Sequence, residues 1–306
     1  MQARQASPAP PPHTLGPKRP VAFAILAAVL YALSAPFAKL LLAHADPGMM
    51  AAFLYLGAGL GVWMLLPLQK RLQLQVPELP LTTRDLPYVI AMIVLDIAAP
   101  ILLLFGLQRT TAANASLLNN FEIVATSLIA LLLFREKIKP RLWLAIALVS
   151  LASFILSFEN LSSLAFSPGS LLVLAAAVAW GFENNCTRML SAKNPLHITI
   201  IKGLGSGTGA FLVAKLAGEI LPALPTLALI LLLGFVAYGL SILFYIYAQR
   251  DLGAAKTSTF YAVAPFIGVV LSFLFFRSMP RGSFFVALAL MLIGTYFAAT
   301  DRRRAA

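Results

Sequence analysis

Three carboxylates interrupt stretches that are otherwise apolar: Asp96, Glu122 and Glu183. An ionised group at the centre of an inserted helix costs roughly 2.5 kcal/mol or more, so each of these acids needs a reason to be there. Glu122 has Asn119 three residues before it and Thr126 four after, a spacing that places the three on one helix face. Such a carboxylate can bind a proton or the amino group of a solute, with Asn119 and Asn120 supplying hydrogen bonds. The same face can equally be a structural seam that holds helices together. Asp96 stands four residues before Pro100, whose ring removes a backbone hydrogen bond and frees carbonyls toward a cavity. A second proton or cation site is one reading of it; a pair with Lys39 or a cap on a broken helix is the other. Glu183, followed by Asn184 and Asn185, lies nearer the end of its stretch, where a solute ligand, a snorkelling gate residue and a partner for Arg188 are all open readings.

Aromatic side chains fall at comparable depths: Tyr31, Trp180, Tyr238, Tyr245 and Tyr261. An aromatic wall can stack a planar solute or cover an amine by cation–π attraction, although such rings more often pack the interior or anchor the interface. The remaining chemistry is sparse. Cys186 is the single cysteine, which excludes a disulfide framework and a multi-cysteine metal site and leaves a packing role. No nucleophile turn and no pair of histidines four apart is present, so neither an enzyme nor a cofactor or metal is expected. The strings Gly57-Ala58-Gly59-Leu60-Gly61 and Gly205-Ser206-Gly207-Thr208-Gly209 lack phosphate-loop spacing; small residues there let helices approach closely.

The elements that must hold these residues follow from composition. Of 306 residues, 60% are hydrophobic and only 11% charged, against about 25% charged in an ordinary soluble domain. Apolar runs lie at 20–43, 48–68, 86–107, 111–134, 141–158, 168–190, 196–218, 223–248, 253–276 and 282–300, each near the roughly 20 residues that cross a bilayer as a helix. An all-α integral membrane protein of ten transmembrane helices is therefore expected, since lipid offers no partner to an unpaired backbone group. The net charge of +12 sits between the runs. With the amino terminus inside, 18 Lys and Arg residues, Lys202 among them, fall on the inner side against 5 outside. That asymmetry places both termini in the cytoplasm and assigns the charge to topology, not to nucleic acid. Residues 1–20, rich in Pro and Ala, are expected to form a disordered cytoplasmic tail, and 301–306 a basic one.

The two halves resemble each other. Tyr31, Pro36 and Lys39 align with the stretch from Trp180 to Arg188, and the two glycine strings align with a shift of 148. Gln108-Arg109 recurs as Gln249-Arg250, and Ala113, Ser116, Phe134 and Arg135 recur as Ala255, Ser258, Phe276 and Arg277. This register sets Tyr261 at the repeat position of Asn119, a place from which it can line a cavity opposite Glu122. Five helices per repeat, 21–158 and 168–300, would put the second copy upside down relative to the first, the architecture of alternating-access transporters.

These marks resemble the drug/metabolite transporter superfamily, specifically its ten-helix EamA type, over about Val21 to Thr300. The resemblance is carried by the stretches Ala113 to Glu136 and Ala255 to Arg277, where small and polar residues lead into an acidic or proline position and then an apolar run ending in a charged turn. The family's mid-helix Glu-Pro is split here between Glu122-Ile123 and Ala264-Pro265, and its Gly-Glu exit reads Phe134-Arg135-Glu136 and Phe276-Arg277-Ser278. The resemblance implies a bacterial inner-membrane protein that exports or exchanges amino acids or similar metabolites, driven by an ion gradient or by the solute's own gradient. The expected partners are a small-molecule solute, membrane lipids and protons, with the protein a monomer or homodimer. The scarcity of basic residues near the centre favours a neutral or cationic solute. A lipid flippase or scramblase is the alternative, and a channel a weaker one, because neither a filter-like loop nor a ring of like charge is present.

Overall fold

The computed structural model describes residues 18–67, 80–134, 140–160, 165–190, 193–252, 257, 260–277 and 280–300. Residues 1–17 of the expected first tail, the expected tail 301–306, residues 68–79 and 135–139, and the repeat marks Arg135, Glu136, Ala255, Ser258 and Ser278 lie outside them, while Lys18, Arg19 and Pro20, expected in the tail, open the first helix. Among the described residues the chain folds as α1 (Lys18–Ala32), α2 (Ser34–Leu41), α3 (Pro47–Trp63), α4 (Leu86–Arg109), α5 (Ala112–Leu118), α6 (Phe121–Phe134), α7 (Pro140–Leu156), α8 (Pro168–Met189), α9 (Pro195–Leu216), α10 (Leu224–Leu233), a π-helical turn (Gly234–Leu240), α11 (Ser241–Leu252), α12 (Ala264–Phe276) and α13 (Gly282–Thr300). A short antiparallel pair of strands, β1 (Phe158–Asn160) and β2 (Ala165–Phe166), lies between α7 and α8 and was not expected from the sequence.

Among the described residues, five helices are long and apolar enough to cross a membrane: Pro20–Leu41, Thr83–Arg109, Ala112–Leu133, Pro195–Leu216 and Leu224–Ala248. Four shorter apolar helices accompany them. The 22-residue α8 is long enough too, but Glu183, Asn184, Asn185 and Arg188 make it the most polar of the long helices. Large apolar side chains such as Leu132, Leu133, Val270 and Leu274 point outward, as a lipid-facing rim requires.

Helix starts are set by local chemistry. Pro47, Pro168, Pro195 and Pro225 stand at first or second positions, where a missing N–H costs nothing. Ser167 and Asn194 cap α8 and α9 by accepting from Ser170 N and from Leu196 N and His197 N. Gly218, with φ +79°, ends α9 in the left-handed region that glycine adopts without strain.

Packing repeats the internal symmetry of the sequence. α3 packs on α9 and α7 on α13, so equivalent elements meet across the molecule. α4 packs on α8 as α11 packs on α1, and α6 meets α8 as α12 meets α1. Each is the image of the other under exchange of the halves. The glycine strings serve these seams: a methyl group on Gly59 would lie 2.6 Å from Leu204 N, one on Gly207 2.6 Å from Leu56 N, and one on Gly205 2.7 Å from Ile93 Cδ1. The backbones approach closely because side chains are missing there.

Irregular backbone concentrates mid-bundle. α1 breaks at Leu33, just before Pro36; α5 and α6 are separated by a turn at Asn119-Asn120; α12 follows a turn at Ala262-Val263, the repeat position of Asn120-Phe121. The π-helical turn lies at the repeat position of the backbone around Asp96, which Pro100 follows. Breaks of this kind at membrane depth are tolerated where they line a cavity or are buried in protein.

Candidate functional site

Asp96 on α4, Glu183 on α8 and Lys202 on α9 converge in one buried cluster. Lys202 Nζ lies 2.9 Å from Glu183 Oε1 and 3.2 Å from Asp96 Oδ2. Asp96 is fully buried, and Glu183 and Lys202 keep only 2% and 7% exposure. Tyr55 OH on α3 donates to Asp96 Oδ1 at 2.9 Å, Trp180 Nε1 on α8 donates to Tyr55 OH at 3.4 Å, and Thr187 Oγ1 donates to Glu183 Oε1. Removing charges from water is costly, and an ion cluster here persists only because its charges meet and further hydrogen bonds hold them.

This arrangement corrects three sequence expectations. Lys202 does not flank the membrane: it points inward from the third turn of α9, where Gly203, Ser206 and Gly207 also face the interior. The 18 basic residues assigned to the inner side thus become 17, and the centre is not free of basic groups. Lys39 does not pair with Asp96; its ammonium donates to the carbonyls of Leu107, Gln108 and Thr110 and so caps the C-terminal end of α4. Glu183 does not snorkel, because burial and Lys202 hold it in the interior.

Glu122 occupies a second centre on α6. Asn184 Nδ2 on α8 donates to Glu122 Oε1 at 2.5 Å and lies 3.4 Å from Thr126 Oγ1. Asn185 Nδ2 reaches Thr126 O at 3.2 Å and Gly181 O at 2.8 Å, tying α8 to α6. Glu122 sits in the first turn of α6, where unpaired N–H groups and the helix dipole favour negative charge. It is only partly buried, as are Asn184, Tyr31 and Tyr261. Glu122 is within electrostatic reach of Glu183, Lys202, Tyr31 and Tyr261. Asn119 is not part of this linkage. The turn after Leu118 buries it with its Oδ1 unpaired, and Asn120 Nδ2 instead reaches Met291 Sδ at 3.7 Å.

Tyrosines connect the two centres. Ring centroids of Tyr55 and Tyr238 are 5.5 Å apart, Tyr238 and Tyr31 6.1 Å, Tyr31 and Tyr261 5.7 Å, and Tyr261 and Tyr245 4.9 Å. The string begins at the hydroxyl bonded to Asp96 and runs through Tyr261, whose OH lies 3.5 Å from Ser241 Oγ, to Tyr245. Tyr238 is carried by the π-helical turn, and Tyr31 lies just before the break in α1. The arrangement offers an aromatic wall with a carboxylate beside it, suited to an amine or a zwitterion, and a buried cluster with two carboxylates and one ammonium.

Comparison with known proteins decides the family. Residues 18–158, and again 167–300, match the model of the EamA-like transporter family. The chain belongs to the EamA-like transporter family. The double match also establishes the two repeats of an EamA fold, in agreement with the packing symmetry. A transporter of Methanothermobacter thermautotrophicus, uncharacterized beyond that name, is 29% identical over 271 residues, covering 83% of this chain and 78% of that protein. The inner membrane transporter YedA of Escherichia coli K12, likewise uncharacterized, is 29% identical over 144 residues, or 45% of this chain and 46% of YedA. A solved structure that is 16% identical superposes with a TM-score of 0.66 over 94% of this chain and 99% of its own, which shows a shared fold. The protein is thus an integral membrane transporter of the EamA type.

Sequence reasoning missed Lys202 and Tyr55. One signal for Lys202 was present: it stands seven residues inside an apolar run that begins at its capping Asn194-Pro195, too deep for a flanking charge. Tyr55 sits in a run of small and apolar residues with nothing to single it out.

Proposed function

We propose that this EamA protein is a secondary transporter that carries a small organic amine or amino acid by alternating access, through ten spans arranged as two inverted five-helix repeats with both termini in the cytoplasm. The observation that carries the reading is the half-buried Glu122 carboxylate, held by Asn184 at the start of a discontinuous helix and faced by Tyr31 and Tyr261. A carboxylate and aromatic faces together attract an ammonium group more strongly than either alone. The repeats supply the motion: equivalent seams, α4 with α8 and α11 with α1, can close in turn on opposite sides of one site. Export or exchange across a bacterial inner membrane is the direction the family resemblance favours.

The test is uptake from a pooled mixture of amino acids and amines by inside-out vesicles, read by mass spectrometry under an imposed pH gradient, for wild type and Glu122→Gln. A solute that only the wild type accumulates identifies the cargo and places Glu122 on its path. Accumulation unchanged by the substitution would remove Glu122 from it, and uptake equal to empty vesicles for every solute would sink the amine and amino-acid reading.

A further inference from the structure

The cluster of Asp96, Glu183 and Lys202 does not balance. Two carboxylates share one ammonium, all three are at least nine-tenths buried, and the sum when each is ionised is one negative charge in the interior. An uncompensated buried charge is among the costliest features a protein can hold, and binding one cation or proton removes it. The contacts differ in kind as well as number. Glu183 Oε1 receives both Lys202 and the Thr187 hydroxyl, and Asp96 Oδ1 receives Tyr55 OH. Asp96 Oδ2 is met by Lys202 alone, whose ammonium is 3.2 Å away and shared with the closer Glu183. Asp96 Oδ2 is therefore the least neutralised of the contacting oxygens, in a cluster that is one positive charge short.

We infer that the Asp96–Lys202–Glu183 cluster is a site for one exchangeable proton, taken up at Asp96 Oδ2, separate from the solute centre at Glu122. Binding forms one O–H bond at Asp96 and breaks one O–H bond of a hydronium ion, which leaves as water; no electron is transferred. A metal cation of similar charge is a poorer occupant, because Lys202 already fills the space between the carboxylates. The groups facing the cluster are Tyr55 on α3, Cys186 on α8, Glu122 on α6, Tyr238 on the π-helical turn and Tyr31 on α1. Glu122 is the only other acid among them. Protonation of the cluster stands on the charge count alone; its use as a coupling step rests on the transporter reading above. In that use, a loaded cluster is neutral and an unloaded one is not, so the two halves pack around a charge that changes with the gradient.

The experiment counts protonated carboxyl groups by the infrared carboxyl stretch of purified protein at neutral pH, in a Glu122→Gln background so that Glu122 does not contribute. One group per molecule is expected in that background, none after Asp96→Asn or Glu183→Gln, which leave one acid and one base, and two after Lys202→Met, which leaves two acids and no base. An added group in Lys202→Met cannot arise from misfolding, since carboxylates released to water ionise at this pH. A count that is the same in all four proteins, or zero in the background, overturns the site. If the counts hold but vesicles move no solute, the transporter reading fails and the proton site stands. If vesicles accumulate a solute and Asp96→Asn accumulates it just as well under a pH gradient, coupling through the cluster is excluded.

Discussion

At the scale of single residues, the polar groups of this bundle gain meaning from what lies across the helix seams, not from their neighbours in sequence. Asn184 shows this. It has no special place in the sequence beside Glu183, yet it is the donor that fixes the Glu122 carboxylate. Hydrogen bonds to charged groups contribute about 1.5–3 kcal/mol, so Asn184→Ala is expected to weaken transport by roughly 10-fold or more. Thr126→Ala removes only the longer contact, at 3.4 Å from Asn184, and is expected to stay within about 3-fold of wild type. Solute flux into vesicles at matched protein levels compares the two; equal losses would mean that the shared polar seam, and not the hold on Glu122, is what matters. Lys202 and Tyr55 make the complementary point. The depth of Lys202 in its apolar run hinted that it is internal, but neither pattern nor period tells which way a polar residue faces on a largely apolar helix, so its partners, and the role of Tyr55, could not be read.

At the scale of elements, most of the architecture was legible. Apolar length located the helices, and the glycine strings located a close seam. What the sequence did not disclose were the breaks. Asn119, Asn120 and Glu122 were placed on one continuous helix, whereas the turn after Leu118 divides α5 from α6 and turns Asn119 away from Glu122. Nothing in Leu-Asn-Asn-Phe forbids a helix; the break is imposed by tertiary packing. The π-helical turn has the same character, since Gly234 and Gly239 permit the close approach of α3 but do not demand an extra residue in the turn. The seam itself can be tested. A methyl group at Gly59 meets backbone atoms of Gly203 and Leu204 at 2.9 and 2.6 Å, which cannot move as a flexible side chain can. Gly59→Ala is expected to destabilise the protein by about 1–3 kcal/mol, read as a lowered unfolding midpoint in detergent. Gly282→Ala, with nothing within 4 Å of the added carbon, is the control expected to change stability by no more than about 0.5 kcal/mol. Equal effects would show that helix propensity, not the close approach, governs both.

At the scale of the whole molecule, the two repeats are bound to each other at one end by exchanged caps. Asp46 precedes α3 but does not cap it; its Oδ2 accepts instead from Ile220 N, 3.1 Å away in the turn after α9. The first N–H groups of α3 are satisfied from the other repeat, because Glu219 Oε1 and Oε2 accept from Gly48 N at 3.1 Å and from Met49 N at 2.6 Å. A methyl group at Gly48 would lie 2.7 Å from the Glu219 carboxylate, which would have to shift to admit it. The repeat-equivalent residue Asn194 instead caps its own helix. If alternating access opens this end, the turns bearing Asp46 and Glu219 must part. Glu219→Ala then removes a charged cap from a partly exposed site, a loss of about 1–2 kcal/mol that shifts an open–closed balance by roughly 5- to 30-fold. A reporter is available at Ser34, which is buried at the start of α2. In a Cys186→Ala background, Ser34→Cys should react with a membrane-impermeant thiol reagent added from the Asp46–Glu219 side about 5-fold or more faster once Glu219 is Ala. A rate unchanged in a protein that still unfolds cooperatively would mean that the exchanged caps only tie the repeats together and that access is controlled elsewhere.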